Sequence, residues 1–437
     1  MKKVLIIASL FHASPRIPGL AKYFPEFGWQ PVILTIPLEE NPSSRFCGPP
    51  DDFKNTNRVI EADCPPVLAF WRRVFNLNQS EDIGFQVKKR LNITSEKTFY
   101  PFLSWLYKKL ETIINYPDAE KKWKTFAIKA GDELLKKEDI DAIISSSSPV
   151  TSHLIAKELK NKHKIPWVAD LRDLWTQNHS YPYGNIRKFF ERRLELKTLQ
   201  PADALVTVSP IWAELLSTLH SGKKTYTITN GFDPDKMSPG QVDLTSKFTI
   251  TYTGQIYTAR QDPSKLLAAL HALISDGTIN PDDVEVRFYG PEDELLAKEI
   301  ERYGLVEIVK QYGIVPREVS FERQRESQLL LILTWEGLKK AGYSLKIFEY
   351  LAAQRPILAT GLGNDMTKEL LDETKSGMYA PTVKDIKNIL RELYSEYKLK
   401  GKISYNGDME KINKYSYREI ARKFAEILDS LIQSKKC

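Results

Sequence analysis

In YSLKIFEYLAAQRPILAT (343–360), Ser344 stands as a helix N-cap, Leu345 to Gln354 read as a helix, and Pro356 opens the strand PILATG (356–361). A helix running into a short apolar strand is half of a crossover unit, and the same alternation extends outward along the chain. The second half repeats it in FTITYTG (248–254), VEVRFYG (284–290) and SQLLLILTW (327–335). The first half carries VLIIASL (4–10), PVILTI (31–36), AIISSSS (142–148), WVADL (167–171), ALVTVS (204–209) and TYTITN (225–230). Short apolar runs separated by longer amphipathic stretches specify parallel sheets with crossover helices. The fold class is therefore α/β, with two Rossmann-like domains.

At 437 residues the chain exceeds what one core serves, which also argues for two domains. The segment GFDPDKMSPGQVDLTSK (231–247) is rich in Gly, Pro, Asp and Ser and lacks periodicity, so the boundary is expected near residue 240. This gives domains at 1–240 and 241–415 and a C-terminal helix at 416–437. In that helix Ile420, Phe424, Ile427, Leu428 and Leu431 share one face, which is expected to pack back on the first domain. The stretch at 66–130 breaks the simple rhythm and reads as an elaboration of the first domain. It holds twelve Lys and Arg against six Asp and Glu, with twelve aromatic residues, so most of the chain's net charge of +7 lies there. Such a surface suits anionic lipid headgroups, and a solvated helical face over core aromatics accounts for it equally well.

Hydrophobic content of 42% and charged content of 27% are those of a compact globular protein. Cys47, Cys64 and Cys437 are odd in number and lack metal-ligand spacing, which fits a reducing cytoplasm. The basic start and the apolar run after it read as a buried first strand rather than a signal peptide, and no segment reaches the ~20 apolar residues of a membrane span. Nucleic-acid binding has only a modest net charge in its favour. A dinucleotide dehydrogenase is disfavoured because no G-x-G-x-x-G follows the first strand.

At the start of the 345–354 helix, the peptide N–H groups of Ser344, Leu345 and Lys346 and the positive end of the helix dipole suit an anion, and Lys346 adds a full charge. Glu349 follows on the same helix face, where a carboxylate can accept the two hydroxyls of a ribose. A solvated Lys–Glu pair has the same spacing.

The run KIFEYLAAQRPILATG resembles the donor-site helix and following strand of GT-B glycosyltransferases, in particular the retaining class called family four. TYTGQIYTARQDPSKLLAAL (251–270) is similar to that family's strand, glycine turn and helix at the start of the donor domain. ADLRDLW (169–175), TVS (207–209), TNGFD (229–233) and RFYGP (287–291) match further pieces in order, so the resemblance runs from residue 3 to about 430. It implies two domains facing across a cleft, the second holding a nucleoside diphosphate sugar. Donor contacts are then expected from Gly254, Arg260, Gly290, Ser344, Leu345, Lys346 and Glu349, with Arg260 and Lys346 as the catalytic charges on the leaving diphosphate. The chain departs from the family at Gln255, where an arginine is usual, and at Ala341, where a glutamate is usual. Glu336 is the nearest acid to Ala341 that precedes it.

On the acceptor side the resemblance and the strand-end position together single out Arg16 and Gly19 in the first loop, near Ser14 and His12, and Asp170, Arg172 and Asp173 at the C-terminal end of the WVADL strand. Asp170 with Arg172 also suits a structural ion pair. His153 lies near a strand end, where a lone histidine is usually structural. The implied reaction is glycosyl transfer with retention in cell-surface polysaccharide or glycolipid synthesis. Its partners are a nucleotide-sugar donor, a saccharide or lipid-linked acceptor and an anionic membrane surface, with no nucleic acid. No cofactor is expected, and no metal, since no Asp-x-Asp motif lies in a suitable loop. The expected place is the cytoplasm, peripheral on the inner face of the plasma membrane. A nucleotide-sugar epimerase of the same architecture and a non-catalytic nucleotide-sugar or partner-binding protein are the competing classes.

Overall fold

The computed structural model describes residues 1–10, 15–38, 53–65, 112–237, 242–257, 260–335, 342–363 and 365–436. The chain divides into two units, one made of Met1–Thr227 with Ala425–Cys437, the other of Ile228–Phe424. Much of the basic, aromatic elaboration expected at 66–130 lies outside the described residues, including the amphipathic run at 100–113 up to residue 111.

The first unit is a parallel sheet of β1 (Lys2–Ile7), β2 (Trp29–Thr35), β3 (Arg58–Glu61), β4 (Ala142–Ser147), β5 (Trp167–Leu171), β6 (Ala204–Thr207) and β7 (Lys224–Thr227). Their order is β3-β2-β1-β4-β5-β6-β7. Val4 to Ile7 are fully buried, as are Ala142 to Ile144, because helices cover both faces of a parallel sheet and its strands read as continuous apolar runs. Trp123, Trp167 and Leu159 fill one of those faces together with Leu5, Val32 and Ile143. From Ala425 onward the C-terminal helix Tyr417–Lys436 belongs to this unit, where Trp29 Nε1 donates to Asp429 Oδ1 at 3.1 Å and the Lys2 ammonium pairs with the same carboxylate.

The second unit contains β8 (Phe248–Thr253), β9 (Val284–Tyr289), β10 (Val309–Gln311), β11 (Leu329–Leu333), β12 (Ile357–Thr360) and β13 (Gly377–Ala380), in the order β10-β9-β8-β11-β12-β13. All pairings are parallel. In both sheets the first strand is the third from one edge and the order reverses beside it, between β1 and β4 and between β8 and β11. Open α/β sheets bind ligands outside the carboxyl ends of their strands at such a reversal. Two places are thereby marked before any side chain is considered.

The contact division falls between Thr227 and Ile228, ahead of residue 240. The reason is local: Phe232 N–H donates to the Tyr415 carbonyl at 3.2 Å, and Tyr417 N–H donates to the Phe232 carbonyl at 2.8 Å. A Cβ at Gly231 would run into the Tyr415 carbonyl, so this approach needs glycine. The start of the apparent linker is thus bound to the second unit. Among the described residues no helix is long and apolar enough to cross a membrane.

Candidate functional site: the strand reversal of the second unit

β8 ends at Thr253 and turns through Gly254, whose φ of +109° disfavours any other residue. Gly254 N–H donates to the Tyr289 carbonyl at 2.6 Å, holding the turn against the end of β9. Gly290, at φ +155°, leaves room for the Gly254 carbonyl, and its N–H donates to the Gly313 carbonyl at 2.9 Å. A Cβ on Gly254 would strike the Lys346 side chain, coming within 3.0 Å of Nζ. The glycine turn and the lysine of the donor-type helix, 92 positions apart, therefore meet beside the reversal of strand order.

Lys346 is in the first turn of the helix Leu345–Ala353. Ser344 is its N-cap residue with extended backbone (φ −65°, ψ 135°) and makes no side-chain capping bond. The peptide N–H groups of Leu345 and Lys346 have no hydrogen-bond partner among the described residues, as helix starts leave them. The Lys346 ammonium stands 5.3 Å from the centre of the Tyr252 ring. Burial pushes its pKa below the ordinary lysine value, and the nearby Glu349 carboxylate pulls it partly back. A half-buried charge with open peptide donors beside it is an arrangement suited to a diphosphate.

Glu349 does not form the pair with Lys346 that its spacing suggested. Its Oε1 accepts from Arg317 Nη2 at 2.9 Å, with both side chains partly exposed. Arg317 opens the helix Arg317–Glu326 and lies over Phe321, 5.3 Å from that ring's centre. Nothing in local sequence marks Arg317, which reaches Glu349 across 32 positions.

Arg260 is exposed, as its sequence context allowed. Its guanidinium lies 4.8 Å from the centre of the Trp335 ring, just past the end of β11, and Tyr257 stands 6.1 Å from the same ring. Gln261, buried, ties this loop down. Its Nε2 donates to the Leu333 carbonyl at 2.7 Å and its Oε1 accepts from Tyr257 N–H at 2.9 Å. Trp335 and Gln261 join Arg317 as residues that motif reading did not select. Glu336 and Ala341 lie outside the described residues.

The acceptor-side candidates of the first unit meet a different fate. Arg16 Nε and Nη2 bind Asp170 Oδ2 and Oδ1 at 3.1 and 3.0 Å, and Ser146 Oγ donates to Oδ2 at 2.8 Å. Both side chains of this pair are fully buried. Asp170 is thus paired with Arg16 and not with Arg172. Arg172 donates instead to the carbonyls of Ser147 at 2.8 Å and Ser148 at 3.1 Å. Gly19 is buried within the helix Arg16–Tyr23, and only Asp173 of the five is exposed. Beside them His153 is fully buried, 2.7 Å from Ser145 Oγ, and burial lowers its pKa to about 4. Ser14 and His12 lie outside the described residues.

Residues 105–236 match the family model described as Glycosyltransferase Family 4. No curated protein matches the sequence. Solved structures share its fold over almost the whole length. Sucrose-phosphate synthase from Thermosynechococcus elongatus aligns at a TM-score of 0.62 and 14% identity, covering 99% of this chain and 100% of its own. HepE from Anabaena, in complex with UDP, aligns at 0.60 and 14%, covering 98% and 100%. The lipopolysaccharide outer core galactosyltransferase WaaB aligns at 0.56 and 12%, covering 99% of each chain. The fold is the GT-B fold of these glycosyltransferases. The family match falls almost wholly in the first unit, and the geometry around Lys346 lies in the second.

Proposed function

We propose that this protein is a glycosyltransferase that moves a glycosyl group from a nucleoside diphosphate sugar to a hydroxyl, with retention at the anomeric carbon, in the synthesis of a cell-surface polysaccharide or glycolipid. The observation that carries the reading is the seating of Lys346 against the Gly254 turn, at the start of a helix with open N–H groups and with Glu349 one turn further on. In the transfer, the bond from the anomeric carbon to the diphosphate oxygen breaks with its electron pair leaving on the diphosphate. The acceptor oxygen forms the new bond, and its proton passes to the departing diphosphate. The charge that develops is met by Lys346, by the peptide N–H groups of Leu345 and Lys346, and by Arg260, which can grip phosphate oxygens through two N–H groups. Glu349, oriented by Arg317, accepts from the ribose hydroxyls. No protein nucleophile enters, and no metal is required by this reading.

HepE holds UDP or UDP-glucose in its structures, which makes uridine nucleotides the first donors to try. The composition at 66–130 supports a lipid-linked acceptor on an anionic membrane. The test is donor consumption with and without a panel of saccharide and lipid-linked acceptors. Acceptor-dependent release of nucleoside diphosphate that persists in chelator and falls at least about tenfold, roughly 1.4 kcal/mol of barrier, in Lys346→Met supports the proposal. Conversion of the donor sugar without acceptor would assign an epimerase instead, and a chelator-abolished rate restored by a divalent ion would remove the metal-independent mechanism.

A further inference from the structure

The helix Asn185–Leu199 of the first unit, NIRKFFERRLELKTL, faces the wrong way for a helix on a globular surface. Such a helix normally turns its apolar stripe to the core and its charges to water. Here the buried residues are Glu191, Glu195, Thr198 and Leu199, three of them polar. Ile186, Phe189, Phe190 and Leu196 are exposed, at 79%, 53%, 53% and 38%.

The inversion is pinned by hydrogen bonds. Glu191 Oε2 accepts from Trp175 Nε1 at 3.0 Å, and its Oε1 accepts from Arg187 Nε at 2.5 Å. Glu195 Oε2 accepts from Thr176 N–H at 3.1 Å and from the Thr176 hydroxyl, with His220 Nε2 3.5 Å from its other oxygen. Rolling the helix to bury the phenylalanines would strip two carboxylates of these partners, so the apolar face stays outward.

Both acids of the helix are consumed by that inward face. Ile186, Phe189, Phe190, Arg193, Leu196 and Lys197 follow one another at three- and four-residue spacing along the outer face, with Arg192 beside them, and no acid of this helix is exposed there. Phe189 and Phe190 meet edge to face with centroids 5.6 Å apart, and the Arg193 guanidinium lies 4.1 Å from the Phe189 centre. Large apolar side chains interleaved with cations, on a helix lying along a surface, fit an anionic bilayer interface: the rings enter the acyl boundary while the cations meet the headgroups. A second copy of this chain is disfavoured, since a twofold pairing would set this cationic face against itself.

We propose that the outer face of the helix Asn185–Leu199 docks the protein on anionic membrane. This gives the membrane-bound acceptor reading a surface made of described residues, and it is independent of the donor site. The test is sedimentation of the full chain with phosphatidylcholine vesicles, with and without phosphatidylglycerol. Wild type is compared with Phe189→Ser/Phe190→Ser and with Arg192→Glu/Arg193→Glu, and melting temperature and size exclusion are followed for each.

The wild type is expected to bind only the anionic vesicles, with the apparent affinity falling at least about tenfold in each double variant, equal to about 1.4 kcal/mol. Both variants are expected to melt no lower than wild type, because the substituted side chains are exposed. Wild type left in the supernatant, or variants that sediment as wild type does, would overturn the proposal. A change of oligomeric mass in the variants would overturn it too, by assigning the face to a second copy. Nucleoside diphosphate binding measured on the same proteins tells a failed docking surface from a failed donor reading.

Discussion

Arg16 and Asp170 form a two-pronged ion pair that water does not reach, with Ser146 as a third partner. Such a pair holds a helix start against a strand end, and it is unavailable to an acceptor sugar in this arrangement. Removing one member strands a buried charge, which costs about 3–5 kcal/mol, whereas replacing both with apolar side chains of similar size is often close to neutral. Urea unfolding of the first unit is therefore expected to show a loss of that order for Arg16→Met, with most of it recovered in Arg16→Met/Asp170→Leu. A loss under about 1 kcal/mol for the single change would deny the structural role. The sequence marked both residues correctly as strand-end charges but could not pair them, because the partner of Asp170 lies 154 positions away rather than two. Arg317 escaped for the same reason: the ion pair with Glu349 exists only once two helices are brought together.

Two groups titrating in opposite senses meet at the start of the helix Thr151–His163, one on it and one facing its first turn. Its first N–H and the Thr151 hydroxyl, each at 2.7 Å, donate to Asp118, whose pKa burial raises from 3.8 to about 6 against the pull of those hydrogen bonds. In its first turn, His153 is lowered from 6.5 to about 4, by burial first, with Arg172 adding to the effect and Asp170 opposing it. A raised carboxyl contributes stability at low pH that is lost as pH rises through about 6, and a lowered histidine contributes stability that is lost as pH falls from 6.5 towards 4. The two slopes oppose each other across the same window.

Relative to wild type, Asp118→Asn is expected to lose stability more steeply on acidification from pH 6 to 4, by up to about 1.4 kcal/mol per pH unit for one proton. His153→Gln is expected to gain stability over that window. Parallel pH curves for all three proteins would contradict this. Element by element, the long apolar strands were legible because continuous burial leaves continuous apolar sequence, as in Val4–Ile7 and Leu329–Leu333. The edge strands Arg58–Glu61, Val309–Gln311 and Gly377–Ala380 were not, being short and only partly buried. The helix at 185–199 offered no usable signal either, since its apolar residues face outward.

At the scale of the whole chain, two sheets of the same winding each present a strand reversal, and the chemistry at the two places differs. In the first unit, the Arg16–Asp170 pair at that sheet's strand ends is neutralised and closed. In the second, a partly desolvated Lys346 and open helix N–H groups lean on a glycine turn, and Glu349 keeps one carboxylate oxygen outside its bond to Arg317. That asymmetry was readable in outline from the Gly254 turn and the 343–360 run, because both motifs are local. The supports from Gln261, Trp335 and Arg317 are tertiary and had no sequence signature.

In the proposed function the second unit holds a nucleoside diphosphate through Lys346 and Glu349. Titration calorimetry of nucleoside diphosphates into wild type, Lys346→Met and Glu349→Ala tests it most directly. Saturable binding to wild type is expected, weakened at least about tenfold, some 1.4 kcal/mol, by either change. Absence of binding by wild type across all the bases, or binding that neither substitution alters, would contradict it.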